Sequence, residues 1–176
     1  MRIFRYRSTA TRRSAFTLIE TGLATIIVGL GVTAVCSLLA KGTVANSNGT
    51  NLTIAVNLAN NVHELSYNLH FYDPSLTGVV WGTAYHWGSE TGETLPTYND
   101  IDDFDGKTFT PPIDSRRQTL AQYSNWSQAV TVQSVDPNFV KTTVPNGTTP
   151  MVRVTVSVSH LGQAIYSESW LTVAGY

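Results

Sequence analysis

Four aspartates stand within six residues in YNDIDDFDG: Asp100, Asp102, Asp103 and Asp105. Carboxylates at that density could hold a hard cation, since Ca2+ is bound by oxygen ligands and favours charged ones. The EF-hand loop does not fit. With Asp105 and Gly106 in its fifth and sixth positions, it would need an oxygen ligand at Ile101 and an acid at Pro112. The simpler expectation is an Asp-rich turn whose carboxylates accept from nearby backbone amides. No cofactor is then required, and calcium stays the alternative.

A second group is aromatic. Trp81, Tyr85, His86 and Trp87 are the densest aromatic cluster in the loop-like text, and exposed rings beside amides and acids stack on sugars. Packing two of these four in the core is the simpler role; the alternative is a ligand site, with Trp81, Tyr85 and Trp87 as its candidates. The histidines His63, His70, His86 and His160 fall in no H-E-x-x-H motif, and no G-x-S-x-G, P-loop or dinucleotide fingerprint occurs. His63 and Glu64 read as a solvated pair on a polar helix face. An enzyme is not expected.

The third residue is Glu20, the only charge in the apolar block FTLIETGLATIIVGLGVTAVCSLLA at 16–40. The twenty residues after it carry no charge; as a helix they span about 30 Å, the thickness of a bilayer's hydrocarbon core. A carboxylate at mid-membrane would cost at least about 2.5 kcal/mol, so Glu20 needs a partner or an exit to the interface. Ahead of the block, Arg2, Arg5, Arg7, Arg12 and Arg13 stand without an acid. That bias keeps the N-terminus cytoplasmic and sends the rest outward. The apolar run is longer than a signal-peptide core and lacks a clean small-x-small cleavage site. Gly22, Gly29 and Gly31 suit close helix packing without forming a strict G-x-x-x-G.

At RRSAFTLIE the chain resembles the type IV prepilin and pseudopilin family. The resemblance is specific over residues 12–40 and loose beyond. It implies a basic leader at 1–15, cut between Ala15 and Phe16 by a prepilin peptidase on the cytoplasmic side, with Phe16 then N-methylated. Glu20 would meet the N-terminal amine of a neighbouring subunit. The family nearly always has glycine before the cut; Ala15 departs from this, though alanine is small enough for a pocket made for glycine. The partners implied are other pilin or pseudopilin subunits, the peptidase, an inner-membrane assembly platform and lipid. The implied location is the bacterial inner membrane, crossed once, with the globular domain in the periplasm or in a cell-surface filament. Some pseudopilins hold calcium in a loop comparable to 100–105. DDFDG, followed by Pro-Pro and later Ser124-x-Trp126, also looks like a segment of minor pilins of the mannose-sensitive haemagglutinin type. The contrasting reading is a signal-anchored surface binding module, adhesin-like or lectin-like, that does not assemble.

Removing the leader's five arginines from eleven basic residues leaves six against twelve acids. A basic nucleic-acid-binding surface is not expected. Cys36, the only cysteine, lies in the apolar block; it reads as a buried small apolar residue and leaves no intrachain disulfide.

The resulting expectation is an α+β, pilin-like fold, a long N-terminal helix packed on a C-terminal antiparallel sheet. Its parts are a transmembrane and assembly helix at 16–41, the second half of that helix at 42–72, and an exported β-rich domain at 73–176. Gly42, Asn46, Asn48, Gly49 and Asn51 weaken the helix and mark a possible break. Leu52, Val56, Ala59, Val62, Leu65 and Leu69 then recur at helical spacing. Text 73–125 is loop-like, with one strand expected at 79–87. Three β runs close the chain. In the last hairpin, parity pairs Ile165 with Val158 and Leu171 with Val152 on the apolar face, and Arg153 with Trp170 on the other.

Overall fold

The text T-L-I-E is a helix start. Thr17 Oγ1 accepts from the Glu20 backbone N–H at 3.3 Å, one half of a capping box in which Glu20 holds the third helical position. A carboxylate in that turn also opposes the positive end of the helix dipole. Helix α1 follows, Leu18–Ser66. The computed structural model describes residues 17–75 and 86–175, so the strand expected at 79–87 lies almost wholly outside the described residues. Beyond α1 come a 3-10 turn at Asp102–Phe104, β1 (Thr108–Phe109), a second 3-10 turn at Ala121–Tyr123, β2 (Trp126–Ser134), β3 (Met151–His160) and β4 (Gln163–Val173).

Two compact units divide the chain, Met1–Asn46 and Ser47–Tyr176. In the first, the described part of α1 is exposed throughout, including Leu23, Ile26, Leu30, Leu38 and Leu39. Cys36, expected to be buried, is exposed here as well, because a lone helix has no inside. The hydroxyls of Thr21, Thr25, Thr33 and Thr43 donate back to carbonyls three or four residues earlier at 2.8 to 3.1 Å. That matters in lipid, where water cannot satisfy a hydroxyl. Among the described residues, α1 is the helix long and apolar enough to cross a membrane. It continues without a break through the Gly- and Asn-rich text at 42–51.

In the second unit α1 buries Ala55, Leu58, Ala59, Val62 and Leu65. The expected stripe holds at Ala59, Val62 and Leu65 and fails at its first two positions. Leu52 is 47% exposed and Val56 only half-buried. The central positions are Ala55 and Ala59, both fully buried, whose small side chains let the helix axis approach the sheet while larger residues flank them. The helix ends at Ser66, short of 72, where Ser66 Oγ donates to the His63 carbonyl at 2.6 Å.

The four strands form one antiparallel sheet in the order β1-β2-β3-β4. Val130 pairs with Val156 and Val132 with Val154, and these, with Val152, Val158 and Trp126, join the helix residues in one core. Gln128 is the exception on that face. Fully buried, it accepts from Ile113 N at 2.8 Å and donates to the carbonyls of Leu58 (2.7 Å) and Ile113 (3.1 Å). One amide thus ties helix, sheet and the 110–120 loop together with its hydrogen-bonding capacity used.

The last hairpin corrects the expected register. Pairing runs as anticipated only at the turn, His160 with Gln163 and Ser159 with Ala164. A bulge between Val158 and Ser159 then makes Ile165 the extra residue, and pairing resumes as Val158 with Tyr166, Val156 with Glu168, Val154 with Trp170, Arg153 with Leu171 and Val152 with Thr172. Trp170 therefore shares the helix-facing side with the valines, and Leu171 is 45% exposed on the other. A bulge changes strand parity, so alternation within β4 could not place it. The gain is aromatic contact: Tyr166 and Trp170 pack against the core, as does Ile165. His63, expected to be solvated, stacks between Trp170 at 4.2 Å and Tyr67 at 5.1 Å, with its Nδ1 3.6 Å from Glu168 Oε1.

Candidate functional site

The loops before β1 gather the acids. S-E-T-G-E bends into a turn in which Glu93 N–H donates to the Glu90 carbonyl at 3.1 Å. Gly92 supplies the positive φ of 95° that a side chain resists. The turn puts Glu90 and Glu93 together, and Glu93 Oε2 accepts from Glu90 N at 3.1 Å. The Asp-rich segment is tied down separately. His70 exchanges backbone hydrogen bonds with it, His70 N to Asn99 O at 3.2 Å and Ile101 N to His70 O at 3.0 Å. Asp103 Oδ2 then accepts from the amides of Asn99 (2.8 Å) and Asp100 (3.2 Å), the self-capping expected of an Asp-rich turn.

The four aspartates do not act as one set. Asp105 is structural: Oδ2 accepts from the Trp87 indole and Oδ1 from Val132 N, each at 2.9 Å. It covers the edge of β2 beyond the two-residue β1. Asp100 and Asp102 form a buried pair. Burial first, then the charge and hydrogen bond of Asp102, push the Asp100 carboxyl up to about 9, so it is protonated at neutral pH. Burial also raises Asp102, against the Gly88 amide that donates to it at 2.9 Å. Asp103 faces elsewhere. It is fully buried, and its carboxylate lies with those of Glu90 and Glu93, one oxygen from each within 4.8 Å of the others. Burial raises Asp103, its amide donors oppose the shift, and Glu93 adds to it.

Among the described residues, no lysine or arginine pairs with these acids. Lys107 is taken by Ser89 Oγ at 3.0 Å and lies over the Tyr98 ring. Buried oxygens are left over: Glu90 Oε2, Asn99 Oδ1 and Asp103 Oδ1 have no hydrogen-bond partner. The donors are all oxygen, which fits a hard cation such as calcium. Glu90, Glu93 and Asn99 were not among the residues singled out in the sequence. The signal available was two glutamates flanking a glycine turn.

Of the aromatic candidates, Trp87 packs against the core with its indole N–H held by Asp105. Trp81 and Tyr85 lie outside the described residues, as do Ala15 and Phe16. His86 is exposed, its Nδ1 3.1 Å from Glu90 Oε1. Glu20 sits in the first turn of α1, exposed, apart from the acid cluster. Fold and surface define an α+β protein with an apolar N-terminal helix compatible with membrane anchoring. Comparison with family models, with curated proteins and with solved structures finds no match to this chain.

Proposed function

We propose that the protein is a structural subunit, a minor pilin or pseudopilin, of a type IV pilus or type II secretion filament. The observation that carries this reading is the two-part character of α1. Its first part is apolar on every side with one acid, Glu20, in the first turn. Its last part is amphipathic and packs on the sheet. A plain anchor needs only the first property; a carboxylate at the start of its span favours the helix terminus but burdens insertion into lipid. A subunit whose helices pack side by side uses that carboxylate to receive the amine of a neighbour. The leader at 1–15 is removed between Ala15 and Phe16, Phe16 is methylated, and the domain lies on the periplasmic side or in a surface filament. The resemblance at RRSAFTLIE supports the same assignment. Mass spectrometry of the N-terminal peptide from cells tests it. The expected peptide begins at N-methylated Phe16, and an intact leader on all of the protein would favour the non-assembling surface module.

A further inference from the structure

We propose that the free edge of β4 receives an extended acidic peptide of another protein, which adds to the sheet as a further strand and seats a carboxylate between Arg153 and Lys141. The first observation is an asymmetry between the two edges of the sheet. On the β2 edge the outward amides are taken. Val130 N–H donates to the Lys107 carbonyl and Val132 N–H to Asp105 Oδ1, both at 2.9 Å, and Ser134 N–H donates to Asn146 Oδ1 at 3.2 Å. The β4 edge has no such cover. Ala174 N–H donates to the Pro150 carbonyl at 2.9 Å, and the register continues from there without a shift from Val173 back to Tyr166. Hydrogen-bonded pairs alternate along an antiparallel ladder. Tyr166, Glu168, Trp170 and Thr172 therefore spend their main-chain groups on β3, while Ser167, Ser169, Leu171 and Val173 turn theirs outward. These outward residues are exposed, and no strand among the described residues lies beyond them.

Sheets that must stay unpaired blunt an edge with lysine, proline or a bulge. β4 contains no lysine or proline, and its bulge lies at the turn end, beside Ser159. Its one charge, Glu168, stands on the helix side, 3.6 Å from His63. Strand addition suits such an edge: main-chain bonds give affinity, and pockets for alternate side chains give selectivity. The second observation supplies the pocket and its charge. A cavity of about 240 Å3 opens beside the edge, lined by Val140, Lys141, Arg153, Ser169, Trp170 and Leu171. That is roughly eight water volumes, room for one side chain. Arg153 is held there by donating to the Val140 carbonyl, and neither it nor Lys141 pairs with an acid among the described residues. A guanidinium fixed in this way has further N–H donors to offer a carboxylate. A second copy of this chain does not fit, because the outward side chains of its own β4, Ser167, Ser169, Leu171 and Val173, bring no acid to the pocket. The site stands on the globular domain alone, whether or not the chain assembles.

The test is fluorescence polarisation of a dye-labelled peptide titrated with the full-length protein in detergent at pH 7.5. The peptide alternates valine and threonine over about eight residues, the length of the regular edge, with one central glutamate. The expected result is saturable binding that weakens at least about ten-fold when the glutamate is replaced by lysine, since like charges then meet. Binding is expected to vanish when the peptide amides are N-methylated, which removes the ladder donors and leaves the charge. Arg153→Gln is expected to weaken the glutamate peptide about ten-fold and not the lysine peptide, with Arg153→Lys retaining more of the affinity. Lys141→Gln, on an exposed loop, should act in the same direction by a smaller factor. No polarisation change up to about 1 mM protein, the range of weak association, would overturn the proposal, as would binding that neither variant alters. Binding that survives N-methylation would overturn it too, because an anion pocket alone would explain it. So would dimers that Leu171→Lys dissolves while no peptide binds, which would give the edge to a second copy.

Discussion

Leu161 occupies a backbone conformation that suits another residue. It and Gly162 form the two-residue turn between β3 and β4 with φ of 50° and 78°, the pattern of a type I′ turn, for which Asn-Gly is the preferred pair. The leucine side chain is largely exposed and gives little packing in return for a left-handed backbone that costs about 1–2 kcal/mol. Leu161→Asn is therefore expected to stabilise the protein by about 1 kcal/mol, seen as a higher melting temperature. A lower one would mean that Leu161 makes contacts its exposure does not suggest. Asp100 gives a prediction of opposite character. Its folded value of about 9 lies above the usual 3.8, so between those limits the folded state holds a proton that the unfolded state has released. Stability from this group is greatest below the lower value and is lost as pH rises toward the upper one, at about 1.4 kcal/mol per pH unit. Asp100→Asn keeps the shape without the titration. In chelator, the variant should lose stability less steeply than wild type between pH 5 and 8, and should be the more stable of the two at pH 8. Identical slopes would mean that Asp100 is ionised in the folded protein.

At the scale of elements, burial divides the sheet cleanly. Val156 is fully buried on the helix side, while Ser157 points the other way and shares a 3.1 Å hydrogen bond with Ser167. Val156→Asp is expected to unfold the domain, because a carboxylate without a partner would stand in the core at a cost of several kcal/mol. Ser157→Asp should change stability by no more than about 0.5 kcal/mol. Circular dichroism melts distinguish the two, and equal stability would contradict the sidedness of β3. That sidedness was readable in advance, because MVRVTVSVSH alternates without interruption. So was the membrane-compatible part of α1, because twenty uncharged residues leave few other uses. The stripe was readable from Ala59 to Leu65 but not at its start: hydrophobicity favours Leu52 and Val56, while the line of closest approach selected Ala55. The β4 register was lost at a single extra residue, Ile165, and with it the partners of Glu168 and His63. The acid cluster was half-readable. The aspartates stand close in sequence, but Glu90 and Glu93 reach Asp103 only through two loops without periodicity, pinned by His70 and by backbone amides.

For the molecule as a whole, the two ends of α1 make different demands. The second unit has a core drawn from α1 and the sheet, with Gln128 satisfied inside it. The first unit leaves every apolar side chain of its described helix exposed, a surface compatible with membrane anchoring. A bilayer alone would meet that demand without Glu20, and better, since removing a carboxylate makes a spanning helix easier to insert. The proposed role of Glu20 thus separates anchoring from assembly. The direct measurement compares wild type with Glu20→Ala in cells, quantifying the protein in membranes and in filaments sheared from the surface or induced from the secretion system. The expected result is that Glu20→Ala reaches the membrane at wild-type level and is depleted at least about ten-fold from the filament fraction, as the loss of a charge pair in a low-dielectric setting implies. Recovery of Glu20→Ala with filaments at the wild-type level, or absence of the wild-type protein from every filament fraction, would contradict the account.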